Sequence, residues 1–293
     1  MPFNYNWNRF NFLFQSKCME YRSRGSIYYR RLLAGSFGLL FPEMDTKFLL
    51  MIMLFIGFLG GALWAFIPAI LKTKLNVNEI LVSLMLVYVA MLLIDFVVRG
   101  PLRDPMSFGF PLTKAYPEGA LINKIPIPGI GFLGQLHYGV MSIFILVPIA
   151  WVIINKTLLG FQIKVLGFAP KATSFAGFKE KRITIIVLLL SGGLAGIAGV
   201  IEVSANMGQL QPEISFGYGF TAIIVVFLGR LNPIGIILAG IIIATVKLGA
   251  DNAQMAIGIP KVVTGLFEGI LLFFLLTGET LQKYQIAWKK YGS

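Results

Sequence analysis

Few residues of this chain could carry out covalent or metal chemistry. Its 293 residues include a single histidine, His137, and a single cysteine, Cys18. This composition argues against a histidine-ligated metal centre, a Ser-His-Asp triad and a Cys-His pair, and it rules out a disulfide within the chain. No G-x-x-x-x-G-K-[ST] stretch occurs, so the chain does not hydrolyse nucleotide through a P-loop of its own. We therefore expect no catalytic residue, no metal and no cofactor.

The polar residues of interest lie inside or beside apolar runs. Glu268 is near the middle of the last run, where an ionisable group is costly and usually faces the bundle interior. It is either a translocation-path residue or a helix–helix hydrogen-bonding group. Glu202 and Asn206 lie where another run ends, and Glu202 could equally be a helix-end carboxylate bonded to backbone. Asn252 and Gln254 are neutral amides, which can bind hydroxyls or base edges without the desolvation cost of charge. These five residues are the candidate substrate path.

A second group of candidates flanks the apolar run 80–98. Asn78 and Glu79 begin it and are a candidate gate, although Glu79 is equally explained as an acidic residue favoured at a helix N-terminus. Asp95 and Arg99 are four residues apart near its other end, a spacing that predicts an ion pair on one helix face.

Composition identifies the elements that position these residues. The chain is 57% hydrophobic and 13% charged, against about 25% charged in soluble domains, and its apolar runs approach the ~20 residues that cross a bilayer. We predict an all-α, polytopic membrane helix bundle. Gly192, Gly196 and Gly199 have the spacing of close helix packing. Residues 218–228 are too few for a full crossing and predict a short or broken membrane segment. The predicted spans are 48–71, 80–98, 138–154, 183–203, 233–248 and 259–276.

Charge placement orients these spans. The net charge is +12, and the basic residues concentrate in loops beside the spans, which is the cytoplasmic bias of membrane proteins and argues against nucleic-acid binding. Alternating crossings put 156–182 and the basic tail 283–293 in the cytoplasm and 99–138 outside. Residues 1–35 then lie on the wrong side for a basic segment. We therefore expect them to be an atypical, truncated or frame-shifted replacement for lost membrane helices, before a transmembrane domain at 36–282.

Four strings carry a family resemblance: N-V-N-E-I-L-V-S-L-M-L-V-Y (76–88), G-F-Q-I-K-V-L-G-F-A-P-K-A-T-S-F-A-G (160–177), L-S-G-G-L-A-G-I-A-G-V-I-E-V (190–203) and G-Y-G-F-T-A-I-I-V-V-F-L-G-R-L-N-P-I-G (217–235). In this order they resemble the inner-membrane permeases of bacterial ABC importers for branched-chain amino acids, ribose and nucleosides. The first and last strings are most similar to the simple-sugar and nucleoside subgroup.

The resemblance implies partners and a coupling element. The partners would be a second permease subunit, two cytoplasmic ABC ATPases and an extracytoplasmic lipoprotein or periplasmic binding protein, around a subunit embedded in the lipid bilayer of the inner membrane. Residues 160–178 would be the coupling segment seated on the ATPase. Its lysines form a cationic rim, Leu166 belongs to a small apolar face, and Gly167 with Pro170 predicts a rigid bend. The implied coupling residues are Phe161, Lys164, Gly167, Pro170, Lys171, Ala172 and Gly177.

The function that follows is a non-catalytic permease subunit of an ATP-driven importer for nucleosides or simple sugars. A stand-alone secondary transporter or channel is the alternative, and it would need ionisable relays in broken helices. Only Glu268 suits that description. A degraded, inactive permease is a third interpretation, which rests on residues 1–35.

Overall fold

The chain divides into two compact units, residues 1–216 and 217–293. The expectations about the N-terminal segment before residue 35 and about the tail after residue 283 lie outside the described residues. The computed structural model describes residues 35, 47–125, 136–212, 218–229, 232–258, 260 and 262–283.

Long apolar runs form the helices of both units. The first unit contains α1 (Lys47–Leu75), α2 (Glu79–Arg99), α3 (Met141–Lys156), α4 (Leu158–Phe168), α5 (Pro170–Phe175), α6 (Glu180–Glu202), a π-helix (Val203–Met207) and 3-10 turns at Glu118–Ala120 and Tyr138–Val140. The second contains α7 (Tyr218–Leu228), α8 (Pro233–Ile257) and α9 (Val262–Lys283).

The helix lengths confirm the predicted all-α, polytopic membrane bundle. Five helical stretches of the described chain are long and apolar enough to cross a membrane, and α7 is a short apolar helix, as predicted for 218–228. The predicted Asp95–Arg99 pair is also confirmed, with Nε and Oδ1 2.7 Å apart. The five stretches are Phe48–Leu75, Leu81–Arg99, Tyr138–Lys156, Glu180–Met207 and Ile234–Ile257.

Two helix ends refine the predictions made from the sequence. Helix α8 continues to Ile257 instead of ending near Leu248, and stops where Gly258 adopts a left-handed conformation (φ 73°). Such a residue is a common helix C-terminus, and here its N–H donates to Gln254 O at 3.0 Å. The bend predicted from Gly167 and Pro170 is present at Ala169, between them (φ −147°, ψ 81°), because the residue before a proline avoids the helical region.

The most extensive helix contact of the first unit is between α1 and α6, which pack antiparallel. A Cβ on Gly57 would lie 2.4 Å from Val200 Cγ2, and one on Gly192 would lie 2.3 Å from Ala65 Cβ and 2.8 Å from Gly61 O. Such distances leave no room for a side chain, so the two backbones touch. Close contact of this kind stabilises helix pairs in lipid, where apolar side chains gain nothing by leaving the hydrocarbon.

One end of this helix pair carries an apolar cluster that also includes α2 and the connection after it. We name this end, residues 99–125, 136–138 and 203–212, the connection end. The opposite end, residues 72–79 and 156–182, is the basic end. The cluster is formed by Leu49, Met53, Trp64, Ala90, Ile94, Val98, Tyr116, Ala120, Val200, Val203 and Leu210.

In the second unit, a glycine pair joins α7 to α8. A Cβ on Gly229 would lie 2.6 Å from Ile236 N, and one on Gly235 would lie 2.3 Å from Gly229 O. Asn232 N donates to Gly229 O at 3.1 Å within this corner, and Pro233 occupies the first turn of α8, where its missing N–H costs nothing. Gly229, Asn232, Pro233 and Gly235 of the G-R-L-N-P-I-G string therefore form a tight helix–helix corner.

We expect Gly192→Ala to lower the free energy of unfolding by about 1–3 kcal/mol, because the added methyl group must separate α1 from α6. The matched control is Gly249→Ala in α8, where a Cβ meets nothing within 4 Å. Removing a helical glycine there is expected to stabilise the chain by about 0.5–1 kcal/mol. Denaturation in detergent micelles measures both, and equal effects would contradict the tight α1–α6 contact.

Candidate functional site

At the basic end, a sharp corner joins α3 to α4. Thr157 caps α4, with its Oγ1 accepting from Gly160 N at 3.2 Å. A Cβ on Gly160 would lie 2.1 Å from Ile154 O and 2.4 Å from Ile153 O. Glycine is therefore required where the new helix folds back against the last turn of α3. This corner fixes where the predicted coupling segment, residues 160–178, begins.

The predicted coupling segment is anchored on the first turns of α6. Ile163 and Leu166 of α4 form a buried cluster with Ile183 of α6, and the Phe161 ring meets the Phe178 ring edge-on with centroids 6.4 Å apart. Leu166 is only 1% exposed. This member of the predicted apolar face is therefore buried against α6 and is not available to a partner. The segment and α6 are consequently joined by packed side chains as well as by the backbone.

The exposed part of the segment includes Phe161 and Gly177, which were among the predicted coupling residues, and Phe175, which was not. Phe175 is 91% exposed at the end of α5, and no periodic pattern in a six-residue helix distinguishes it from a buried residue. Phe161 is half exposed, and Lys164 Nζ donates to Asn155 Oδ1 at 2.8 Å. Gly177 is exposed and has φ 77°, in the turn that leads to α6.

The side chains of Pro170, Lys171 and Ala172 lie outside the description, and only their place in α5 is known. Gly167 lies near the end of α4 and is buried. Its place is therefore in the packing of the segment and not on its exposed surface.

The candidate gate residues lie beside the start of α6. Lys72 Nζ is 2.7 Å from Glu79 Oε1, an ion pair that closes the turn between α1 and α2. Asn76 in this turn has φ 50°, a left-handed conformation that asparagine tolerates better than most residues. A cleft of about 450 Å³ separates this turn from α6 and is lined by Lys72, Thr73, Asn76, Val77, Asn78, Glu79, Glu180, Lys181 and Thr184.

At the connection end, α6 passes directly into the π-helix at Glu202. Single π turns within helices occur frequently at functional sites. Glu202 is half-buried and Asn206 is exposed, whereas the Oγ of Ser204 is buried with no hydrogen-bond partner among the described residues. Gly208 ends the turn with φ 67°. Sequence periodicity does not distinguish a π turn from an α turn, so this feature was not predicted.

The connection after α2 is ordered against this π-helix. Ile122 N donates to Ser204 O at 3.0 Å, and Tyr116 N donates to Gly208 O at 2.8 Å. Thr113 Oγ1 accepts from Leu210 N at 3.0 Å. These bonds tie the Pro/Gly-rich stretch to the end of α6, so the candidate residues Glu202 and Asn206 lie within a built surface.

His137 lies at the same end, before α3. Burial lowers the pKa of His137 below its ordinary value of 6.5, the nearby Glu202 carboxylate raises it and Lys124 lowers it further. The imidazole is therefore neutral at pH 7, and its Nδ1 is buried without a hydrogen-bond partner in the described part of the chain.

The remaining candidates belong to the second unit. Asn252 and Gln254 are exposed near the end of α8. Glu268 lies in the first third of α9, and its side chain is outside the description. In the described chain no three His, Cys, Asp or Glu residues are grouped closely enough to hold a metal ion.

The first unit thus has a partly exposed corner anchored on α6 at its basic end, and an ordered polar surface around the π-helix at its connection end. Residues 25–276 match a family described as the permease component of branched-chain amino acid transport systems. The chain belongs to this family.

Individual relatives of this permease belong to ABC transporters of sugars and nucleosides. It is 30% identical to a glucose ABC transporter permease of Haloferax volcanii over 87% of this chain and 68% of the relative. It is 29% identical to a guanosine ABC transporter permease of Bacillus subtilis over 80% and 66%, and 28% identical to a nucleoside ABC transporter permease of Lactococcus lactis over 82% and 66%. The permease thus spans about two thirds of the length of these relatives. No solved structure matches it.

The lowered pKa of His137 predicts a pH dependence of the permease. The imidazole binds a proton more readily in the unfolded chain than in the folded chain. The folded state therefore loses stability as the pH falls below 6.5 toward the lower pKa of the folded state. We expect the single imidazole of histidine-labelled protein to titrate by NMR with a midpoint below 6.5. His137→Gln should reduce the loss of melting temperature between about pH 7.5 and about pH 5.5.

Glu202→Gln is the matched control for this titration. Removing the carboxylate that favours the protonated ring should move the midpoint lower still. A midpoint above 6.5, or a rise in the Glu202→Gln protein, would contradict this environment of the imidazole.

Proposed function

We propose that the chain is the non-catalytic, membrane-spanning subunit of an ATP-driven importer for nucleosides or simple sugars. The family match and the relatives named for glucose, guanosine and nucleosides support this substrate class. The transmembrane domain occupies residues 36–282 of a multi-pass protein of the bacterial inner membrane. Its basic end and its tail, 283–293, face the cytoplasm, in line with the position of their Lys and Arg residues.

The observation that carries this proposal is the exposed corner at the basic end. Phe175 presents an aromatic ring at 91% exposure, and Phe161 of the same segment is half exposed. A partner that covered these two rings would gain the free energy of burying them. The partner is a cytoplasmic ABC ATPase, one of a pair, with a groove that takes the Phe175 ring while Lys164 and Lys171 contact its rim. A second permease subunit and an extracytoplasmic binding protein complete the importer.

Movement of the ATPases reaches the membrane through α6. The Ile163–Leu166–Ile183 cluster fastens the coupling segment to the first turns of this helix, so a displacement of the segment displaces α6. The tight glycine contact makes α1 follow. The coupling is mechanical, because this chain has no ATP chemistry of its own.

The substrate meets polar groups at both ends of this helix pair. At the connection end, Glu202 and Asn206 receive the substrate from the binding protein; in the second unit, Asn252, Gln254 and Glu268 contribute further hydrogen-bonding groups. At the basic end, the cleft beside Asn78 and Glu79 is the cytoplasmic gate, and the Lys72–Glu79 ion pair holds its turn closed.

Uptake of radiolabelled nucleoside by the chain co-expressed with its proposed partner subunits tests the proposal. Phe175→Ala should lower ATP-dependent uptake and weaken ATPase co-purification about tenfold or more, since a buried phenylalanine contributes about 1.5–3 kcal/mol. Ala176→Ser, at the exposed neighbouring position, is the matched control and should leave both unchanged.

An ionophore distinguishes this function from that of a secondary transporter. Dissipating the ion gradients should leave uptake by ATP-loaded proteoliposomes intact. Uptake that persists without ATP and disappears with the ionophore would contradict the proposal. Unchanged ATPase binding by the Phe175→Ala protein would refute the coupling contact alone.

A further inference from the structure

The loop 104–112 at the connection end is a closed structure of its own. Asp104 N donates to Leu112 O at 2.9 Å, and Phe110 N donates to Ser107 O at 2.9 Å. The Ser107 hydroxyl lies 2.8 Å from both Asp104 O and Phe110 O. These contacts hold the loop in one shape, so what it displays is determined by its fold.

This loop displays its largest apolar side chains to the outside. Met106 is 83% exposed, Phe108 98% and Phe110 66%, and a Cβ on Gly109 would meet nothing within 4 Å. Phe108 has φ 48°, a conformation that bulky residues rarely adopt. The loop thus maintains an unfavourable backbone conformation at the residue whose ring is most exposed.

The base of the loop is held at the end of a membrane helix. Leu102 N donates to Val97 O in the last turn of α2 at 3.0 Å, and Arg103 pairs with Thr113 in a β-bridge. The apolar tip therefore begins within a few residues of the point where α2 leaves the hydrocarbon. Helix α2 itself carries an exposed apolar stripe that includes Leu92 and Phe96 in its last two turns.

Charge at the base suits the headgroup layer. Arg103 and Lys114 are both exposed. The β-bridge between Arg103 and Thr113 joins the two sides of the loop, so Arg103 and Lys114 both lie at its base. An apolar tip above a cationic base is the arrangement of interfacial elements, which place apolar groups at the acyl boundary and basic groups among anionic headgroups.

We propose that the loop 104–112 is a membrane anchor, with Met106, Phe108 and Phe110 inserted at the acyl boundary of the adjacent leaflet and Arg103 and Lys114 on its anionic phospholipids. The anchor fixes the height of the connection end against the bilayer. Through Thr113 and Leu210, it thereby fixes the height of the π-helix that follows α6. The occupant of this surface is lipid, and the loop does not depend on a protein partner for its position.

Spin-label accessibility in liposomes of phosphatidylethanolamine and phosphatidylglycerol tests this anchor. The full chain carries Cys18→Ser and a single label at Phe108→Cys, or at Met106→Cys as a second position. Phe96→Cys, on the exposed face of α2, is the lipid reference. Ala115→Cys, exposed on the same connection beyond the basic residues, is the aqueous reference.

We expect the labels at 106 and 108 to collide more with dissolved oxygen than with a water-soluble nickel chelate, as at position 96. Labels that resemble position 115 would overturn the anchor. Nickel access that is lost only when the extracytoplasmic binding protein is added would also overturn it, and would assign the loop to that protein. Neither result depends on ATP-driven uptake, so the anchor and the importer function are tested separately.

Discussion

The contact between α1 and α6 is the constraint on which the rest of the first unit depends. In lipid, helices gain little from burying apolar side chains against each other, so stable pairing requires close backbone approach. Gly57 and Gly192 permit that approach, because side chains at these positions would overlap the opposite helix. The apolar stripes on the other faces remain available to lipid. Both functional ends of the unit are attached to this one helix pair.

Helix α6 links these two ends directly. Its first turns hold the proposed coupling segment through Ile183, and its last turn continues into the π-helix that bears Asn206. A force applied at the exposed Phe175 therefore has a continuous packed route to the polar surface at the connection end. The π-helix, with its weaker hydrogen-bond geometry, is where this route meets the surface that we propose receives the substrate. A mechanical subunit of this kind needs no catalytic residue.

The sequence predicted the features that depend on length and residue type. Apolar runs predicted the five candidate spans and the short helix at 218–228, although the predicted span 259–276 is not among the candidate spans of the described residues. Glycine spacing suggested helix packing on α6. Features that depend on tertiary contact were not predictable. Leu166 and Phe175 are both apolar residues of the coupling segment, yet one is buried against Ile183 and the other is exposed. The ordering of the connection after α2 likewise rests on hydrogen bonds to residues nearly a hundred positions away.

The central claim is that α1 and α6 move as one body, and a distance between them tests it most directly. Spin labels at Leu63→Cys and Leu194→Cys, both exposed positions, report that distance in the assembled importer by pulsed electron resonance. A label at Ala176→Cys, paired with one on the second permease subunit, shows that ATP has moved the basic end. We predict the same α1–α6 distance with and without a non-hydrolysable ATP analogue. A distance that changes while the basic end moves would show that the helices slide past each other, and would contradict the account.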